Sequence, residues 1–416
     1  MIRISILVAL TAAMTAAAVQ AADAPAEIKL GTLYASTGRF ASLSMPLHYG
    51  LKLWIDQKNA DGGVYVKAFD KKIPLKLIAY DDQSSTATAA KLYNQLITQD
   101  KVDILTADYG AQLTSVAVPI ARDHKMLLID QTGLDASFFT SDNPYIVLID
   151  EPVYRVWPKP LADFLTHDGR GLGIKRVAIL YATNDFTGSL ANAVRKLLKE
   201  SNSGLEIVFD EGVPTDTSNY TAVLNNMRAA NPDAVIELGA EKDDIVFLHN
   251  VQDSGIKFKF LFCIYPTVHT ELFEKSVGNK ALDYVFGYVT AAQIPRESNF
   301  GMSLEEYSAA WHKKYASLQV GFDFNSLAGY TTGLVLEKAL ATATSLDQLE
   351  LRKAILSLSG RLKTLDGEFE LDPATGAQVG ETSAVGQLVP GENHHLKLVT
   401  VWPPDVANGR PIYPRP

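Results

Sequence analysis

Three kinds of residue in this 416-residue chain could do covalent or acid–base chemistry: the neighbouring carboxylates Asp81-Asp82, the single thiol of Cys263, and eight histidines. None falls in a working arrangement. Adjacent side chains at a strand end point to opposite sides, so Asp81 and Asp82 cannot act on one substrate proton as a pair. Asp81-Asp82-Gln83-Ser84-Ser85-Thr86 reads instead as a run of side chains that cap the N–H groups opening the next helix. Cys263 lies in the apolar run Phe260-Leu261-Phe262-Cys263-Ile264-Tyr265, which suits a small buried hydrophobe better than a nucleophile. The histidines have no metal-ligand spacing, and His394-His395 are neighbours that diverge in a strand. There is no Gly-x-Ser-x-Gly elbow, His-Glu-x-x-His, phosphate loop or cysteine pair. No catalytic residue, cofactor or metal is therefore expected. The polar residues at strand ends are read as groups that hold a molecule rather than transform it.

The elements that must position those groups alternate along the chain. Ile28 to Leu33 is a strand, Ser44 to Asn59 a helix with Leu47, Leu51, Trp54 and Ile55 on one face, and Asp61-Gly62-Gly63 its stop. Ile73 to Tyr80, Val102 to Ala107 and Met126 to Asp130 follow as strands, with helices through Leu96 and from Gln112 to His124 between them. A second series has strands at Val177 to Tyr181, Glu206 to Asp210, Ala234 to Leu238 and Phe258 to Ile264, separated by helices Gly188 to Glu200, Ser218 to Ala230 and Asp243 to Ser254. Strands separated by helices of this length pair in parallel through right-handed crossovers. Two such series, broken near Asp150 to Trp157, predict an α/β protein of two doubly wound parallel-sheet lobes. Extended runs at Tyr145 to Ile149, Val285 to Thr290 and Leu365 to Asp372 read as crossings between the lobes. Helices are expected at Ser303 to Ala316 and Ser326 to Ala341, a strand at Leu396 to Val401, and a proline-rich surface tail from Pro403 to Pro416.

The ends and composition set the compartment and the partners. Residues 1–21 have the form of a secretion signal: Arg3, then apolar Ile4 to Val19, then Val19-Gln20-Ala21 at the cut. The run is shorter than the ~20 residues of a bilayer span and lacks a basic stop. With Cys263 as the only cysteine, neither a lipid anchor after the cut nor an intramolecular disulfide is expected, so the chain reads as free in the periplasm. Losing Arg3 takes the formal charge from -9 to -10. Scattered lysines and arginines in an acidic chain argue against a nucleic-acid partner. A hydrophobic fraction of 47% excludes disorder.

Asn59-Ala60-x-Gly62-Gly63-Val64 and Tyr80-Asp81-Asp82, with Pro119-Ile120-Ala121, Val177-Ala178-Ile179-Leu180-Tyr181, Asn184-Asp185-Phe186, Pro232-Asp233-Ala234-Val235 and Gly255-Ile256-Lys257, closely resemble the leucine/isoleucine/valine-binding protein family, the type I periplasmic solute-binding proteins of ABC importers. The resemblance covers nearly all of the mature chain. It implies the type I periplasmic binding protein fold with a three-segment hinge, a ligand clamped between the lobes, and delivery to an ABC permease in the inner membrane. On that basis residues 27–149 and 289–364 are expected to form the first lobe, and 150–288 with 365–402 the second.

The resemblance also implies site residues. The loop whose hydroxyl and amides hold a ligand carboxylate in the family corresponds to Ala107-Asp108-Tyr109-Gly110-Ala111-Gln112. The serine position falls on Gly110 or Ala111, which leaves amides without the hydroxyl, and Tyr109 stacks on a ligand or packs on its own lobe. The next contact loop is Asp130-Gln131-Thr132-Gly133-Leu134, with Thr132 at the backbone contact, Leu134 at the usual threonine, and Gln131 as a donor or a strand-end cap. Tyr154 and Arg155 stand where an acidic residue meets an ammonium, with Glu151 nearby out of register. Arg155 is read as a carboxylate partner or a hinge-surface arginine. Phe186 matches an aromatic wall residue, Glu241 is a candidate polar partner, and Ile264 and Tyr265 fall at a second acidic contact. Leu43 takes the place of a tyrosine on the ligand side chain, with Ser42 and His48 beside it. With the hydroxyl, the threonine and both acidic anchors altered, an aromatic-containing or compact polar solute, a carboxylate among them, is expected in place of a standard branched-chain amino acid. One-to-one capture by a monomer that hands the solute to a permease is the leading reading. A ligand-sensing protein of the same fold, reporting to a receptor or regulator, is the other, because fold alone does not decide function.

Overall fold

The computed structural model describes residues 24–132, 135–294, 297–318, 320–391 and 395–416; the side chains of Tyr154, Arg170 and Ala291 also lie outside that description. The expected signal at 1–21 and the readings of Gly133, Leu134 and His394 fall outside it too. The first sheet collects β1 (Ile28–Tyr34), β4 (Leu75–Asp81), β5 (Ile104–Thr106), β6 (Leu128–Asp130) and β7 (Ile146–Leu148) in the order β4-β1-β5-β6-β7, parallel throughout. A small hairpin of β2 (Val64–Val66) and β3 (Lys71–Ile73) precedes β4. The turn into it is made by Gly62 and Gly63 at φ +87 and +103, the left-handed region open to glycine.

Both faces of this sheet are covered, as a doubly wound sheet requires. One face packs against helices Ala41–Ala60, Leu304–Tyr315, Phe324–Leu340 and Gln348–Leu356. The other packs against Thr86–Thr98 and Gly110–Asp123. Helices Ala41–Ala60 and Phe324–Leu340 meet backbone to backbone: a Cβ on Gly50 would stand 2.0 Å from the Ser326 carbonyl oxygen, and one on Gly329 2.0 Å from that of Leu47.

The second sheet has the order β9-β8-β10-β11-β12-β15-β16, formed by β8 (Arg176–Ala182), β9 (Glu206–Val213), β10 (Ala234–Leu238), β11 (Leu261–Phe262), β12 (Phe286–Val289), β15 (Ala384–Pro390) and β16 (Leu396–Trp402). The last two run antiparallel to their neighbours. The strand expected at Phe258 to Ile264 pairs only over Leu261–Phe262. β15 has no counterpart in the sequence reading, because Gly386 and buried Gln387 interrupt its apolar pattern. Gln387 has a structural task there: its amide donates to the Ile412 carbonyl (2.9 Å) and accepts from the Ile412 N–H (2.8 Å), which straps the tail to the lobe.

The chain leaves the first sheet after β7, returns after β12 and leaves again before β15, so three segments join the lobes. The third crossing lies beyond Leu371 rather than at residue 365. Leu365, Phe369 and Leu371, around the hairpin of β13 (Leu362–Thr364) and β14 (Gly367–Phe369), bury their side chains in the first lobe's core. Among the described residues no helix is long and apolar enough to cross a membrane.

Candidate ligand-binding cleft

Strand ends of both sheets turn toward the seam between the lobes, where open α/β sheets bind ligands. On the first lobe Asp81, at the end of β4, accepts from the Ser36 N–H (3.0 Å), the Ser36 hydroxyl and the Gln83 N–H (2.9 Å). Partial burial would raise its pKa, but these hydrogen bonds outweigh it and hold the carboxyl below the usual range. Asp82 turns the other way and is buried. Its Oδ1 accepts from the Ser84 N–H (2.9 Å), and its carboxyl meets that of Asp108. The two adjacent aspartates thus diverge as expected, and the true carboxyl pair joins Asp82 to Asp108. Burial, opposed by the Asp108 hydrogen bond, brings Asp82 up to about 6. Burial and the Asp82 charge push Asp108 well above the carboxylate range, which favours one proton shared by the pair. The Ser44 hydroxyl donates to Asp108 Oδ1 (2.5 Å), and the Asp108 N–H donates to the Tyr93 hydroxyl (2.9 Å).

Immediately after Asp108 comes buried Tyr109, then Gly110 at φ +81, which opens the helix Gly110–Asp123. The Gly110 N–H donates to Thr132 Oγ1 (3.0 Å), and the Thr132 N–H donates to Asp130 Oδ1 (3.1 Å). Thr132 therefore spends its hydroxyl on the Tyr109–Gly110 turn. Gln131 is buried and donates to the Ala107 carbonyl (2.8 Å), so it ties two strand ends together. Ala111 packs on the first lobe's core. Leu43 is buried against Tyr109 with Leu47 and Ala328, whereas Ser42 is exposed.

Across the seam, Phe186 stands edge-on to Trp157 (6.4 Å), whose indole N–H donates to Glu151 Oε1 (2.8 Å). Glu237 and Asp244 form a second buried carboxyl pair. Burial brings Glu237 up to about 7, and burial with the Glu237 charge raises Asp244 further. Asp244 Oδ2 also accepts the Tyr265 N–H (2.8 Å), which fixes the loop after β11. Cys263, in that loop, is buried as expected, and burial pushes its thiol up.

Tyr109, Glu241 and Tyr265, singled out in the sequence, come together. The Tyr265 and Tyr109 hydroxyls interact with each other, and burial followed by the Glu241 charge raises the Tyr109 phenol. Three residues that the sequence reading missed complete the contact. His269 Nδ1 lies 2.6 Å from Glu241 Oε2, its Nε2 3.7 Å from Asp323 Oδ2, and its ring stacks on Phe324 at 5.7 Å. Glu241, Tyr265 and His269 belong to the second lobe; Tyr109, Asp323 and Phe324 belong to the first. Asp323 caps the helix Phe324–Leu340 by accepting the Ser326 N–H (3.0 Å), a signal legible in Asp323-x-x-Ser326. His269 carried no comparable signal.

At the crossing, Tyr154 and Arg155 fall in the short helix Val153–Val156. The Tyr154 side chain lies outside the described residues, and Arg155 is exposed on the side toward Asp372. The buried charge there is acidic. Asp150 is raised well above the usual range by burial and then by Asp366, Glu151 and Asp130, and burial brings Asp366 to about 7.

The periplasmic binding protein family profile matches residues 27–393. A relative named Leu/Ile/Val-binding protein homolog 7, from Brucella abortus (strain 2308), is 24% identical over 416 residues, covering 95% of this chain and 96% of its own. The fold is similar to that of the branched-chain amino acid transporter substrate binding protein LivJ from Streptococcus pneumoniae in complex with isoleucine (TM-score 0.72, 18% identity, 90% of this chain and 100% of that one). It is also similar to that of an R. palustris ABC transporter solute binding protein in complex with 4-hydroxybenzoate (TM-score 0.70, 16% identity, 90% and 97%).

Proposed function

Because this chain belongs to the periplasmic binding protein family, we propose that it captures one small organic solute in the periplasm by closure of its two lobes and delivers it to an ABC permease. The observation that carries this reading is the Tyr109–Tyr265 and His269–Asp323 seam, where residues of the two lobes meet side chain to side chain. Two strand-end faces joined by three crossings make a clamp with a hinge. Tyr109, Tyr265 and Phe324, gathered around His269, favour a solute with an aromatic or compact apolar part. The start of the helix Gly110–Asp123, at the first lobe's face, suits a carboxylate through the first-turn amide N–H groups after Gly110, whose own N–H is held by Thr132. Isoleucine and 4-hydroxybenzoate, the ligands of two structural relatives, both carry one. Residues 1–21 serve as the export signal, and a monomer suffices for one-to-one capture.

A thermal-shift screen of the mature chain over amino acids, aromatic acids, amides and short carboxylates tests the reading. A true solute at 100 times its Kd stabilises the folded state by about 2.7 kcal/mol and raises Tm accordingly. The proposal fails if no class raises Tm while one of the compounds is consumed.

A further inference from the structure

His269 lies in the seam against charges of both lobes, Glu241 of the second and Asp323 of the first. Its ring is almost wholly buried, with 6% of the side chain exposed, and Nε2 has no hydrogen-bond partner although it faces Asp323 at 3.7 Å. The titratable groups around it are Glu241, from the helix Glu241–Ser254 of its own lobe; Asp323, from the cap of Phe324–Leu340 in the other; and Tyr265, at 5.6 Å ring to ring, with Tyr109 behind it. Burial raises both tyrosine hydroxyls, so they remain neutral. With His269 and Asp323 both deprotonated, the seam holds two largely buried carboxylates with no counter-charge; a proton on either group relieves that.

We propose that His269 is a positioning residue for lobe closure, its ring and Asp323 of the first lobe holding the protons that offset the meeting of Glu241 with Asp323 across the seam, so that closure takes up protons and is favoured by acid. The sign follows from the two groups. Burial alone would lower the His269 pKa, but the Glu241 hydrogen bond and the Asp323 charge outweigh it and leave it raised. Burial lifts Asp323 to about 6 despite the His269 charge. Opening the lobes separates His269 from Asp323 and wets both, returning them toward 6.5 and 3.8. Each group therefore binds its proton more tightly when the lobes are closed. The gain is complete at low pH and is lost as pH rises, first through about 6 for Asp323 and then through the raised value for His269.

The inference rests on the two-lobe clamp of the proposed function, but its test needs no solute. Spin labels at Lys91→Cys and Lys196→Cys sit on exposed helix positions of opposite lobes, and the native Cys263 is buried out of reach. Pulsed dipolar distances are measured on the mature chain at pH 5.5, 7.0 and 8.5. The closed-to-open ratio is expected to rise at least about threefold from pH 8.5 to 5.5, the change that half a pKa unit of difference between the states delivers. Replacing His269 alone would leave Asp323 free to take the proton, so the deciding variant is the double change His269→Gln with Asp323→Asn, whose ratio is expected to be flat. Glu241→Gln, which keeps an acceptor but removes the negative charge that helps raise His269, moves the midpoint to lower pH. A wild-type distribution that ignores pH, or a double variant that keeps the wild-type dependence, overturns the proposal. A thermal-shift hit alongside pH-independent lobe distances would remove the latch and leave solute capture standing.

Discussion

Each lobe buries a pair of carboxyl groups under its cleft-facing edge, and the two pairs are wired to different parts of the molecule. In the first lobe Asp82–Asp108 is held from below, by the Ser44 hydroxyl of one helix and the Tyr93 hydroxyl of another. In the second, Glu237–Asp244 is held from above, by the N–H of Tyr265, the residue that reaches across the seam. A shared proton lets two buried carboxyls lie side by side without two charges. The same electrostatic solution therefore serves scaffold in one lobe and positions a cleft loop in the other. The first lobe also has a feature the second lacks, the glycine-to-backbone contact between helices Ala41–Ala60 and Phe324–Leu340.

That contact is the place to break the comparison most severely. Gly329→Ala puts a methyl 2.0 Å from the Leu47 carbonyl oxygen, where no flexible side chain can give way, and is expected to lower stability by about 3 kcal/mol in urea unfolding. Gly188→Ala, in a helix of the second lobe with nothing within 4 Å of the new methyl, is expected to be neutral or to stabilise by about 0.5–1 kcal/mol. Equal effects would mean that the helices do not approach as closely as described.

The carboxyl pairs come next in size, and their sign is opposite to that of an ordinary salt bridge. Asp82 rises from 3.8 to about 6 and Glu237 from 4.5 to about 7. Stability from such groups is complete below their unfolded values and falls as pH rises through the folded ones. For fully buried Glu237 the whole change is on the order of 3 kcal/mol. Melting temperature is therefore expected to drop between pH 5.5 and 8.5. Asp108→Asn and Asp244→Asn, which replace the shared proton with an amide N–H, should each flatten the slope. A wild-type Tm that climbs over that range would refute the pairing.

A smaller effect separates seam from scaffold. Tyr265→Phe and Tyr109→Phe each remove the hydroxyl contact across the seam. Each should weaken binding of a solute found in the thermal screen by about 1 kcal/mol, roughly fivefold in Kd by calorimetry, with Tm of the solute-free protein little changed. Unaltered affinity in both would remove these tyrosines from the closed state.

The two lobes were not equally legible in the sequence. The first lobe's parallel strands announce themselves through short apolar runs, glycine stops and capping side chains, whereas Tyr109, Gly110 and Thr132 were expected at its edge only through the family resemblance. The second lobe's antiparallel β15 does not announce itself, because Gln387 is polar for a tertiary reason, its bond to Ile412. In the cleft, Tyr109, Glu241 and Tyr265 were singled out through the family resemblance, in loops that follow strands. His269 and Asp323 were missed because they meet only after two segments 54 residues apart fold onto different lobes. No local pattern records a contact of that kind.

The crossing between the lobes supplies the smallest and sharpest test. Arg155 invites a role as a carboxylate partner because it is a cation beside the position of a family anchor. In the structure it is exposed, and the charges buried at the crossing are Asp150 and Asp366, raised carboxyls that share their surroundings with Glu151 and Asp130. An exposed arginine near Asp372 is screened by water and contributes within about 0.5 kcal/mol. Arg155→Ala is accordingly expected to change solute affinity less than twofold and to leave Tm unmoved, whereas Asp366→Ala, which removes one member of the buried acidic group, should alter both. A tenfold loss of affinity in Arg155→Ala would bring that guanidinium into the cleft on closure and restore the carboxylate-pairing role to the crossing.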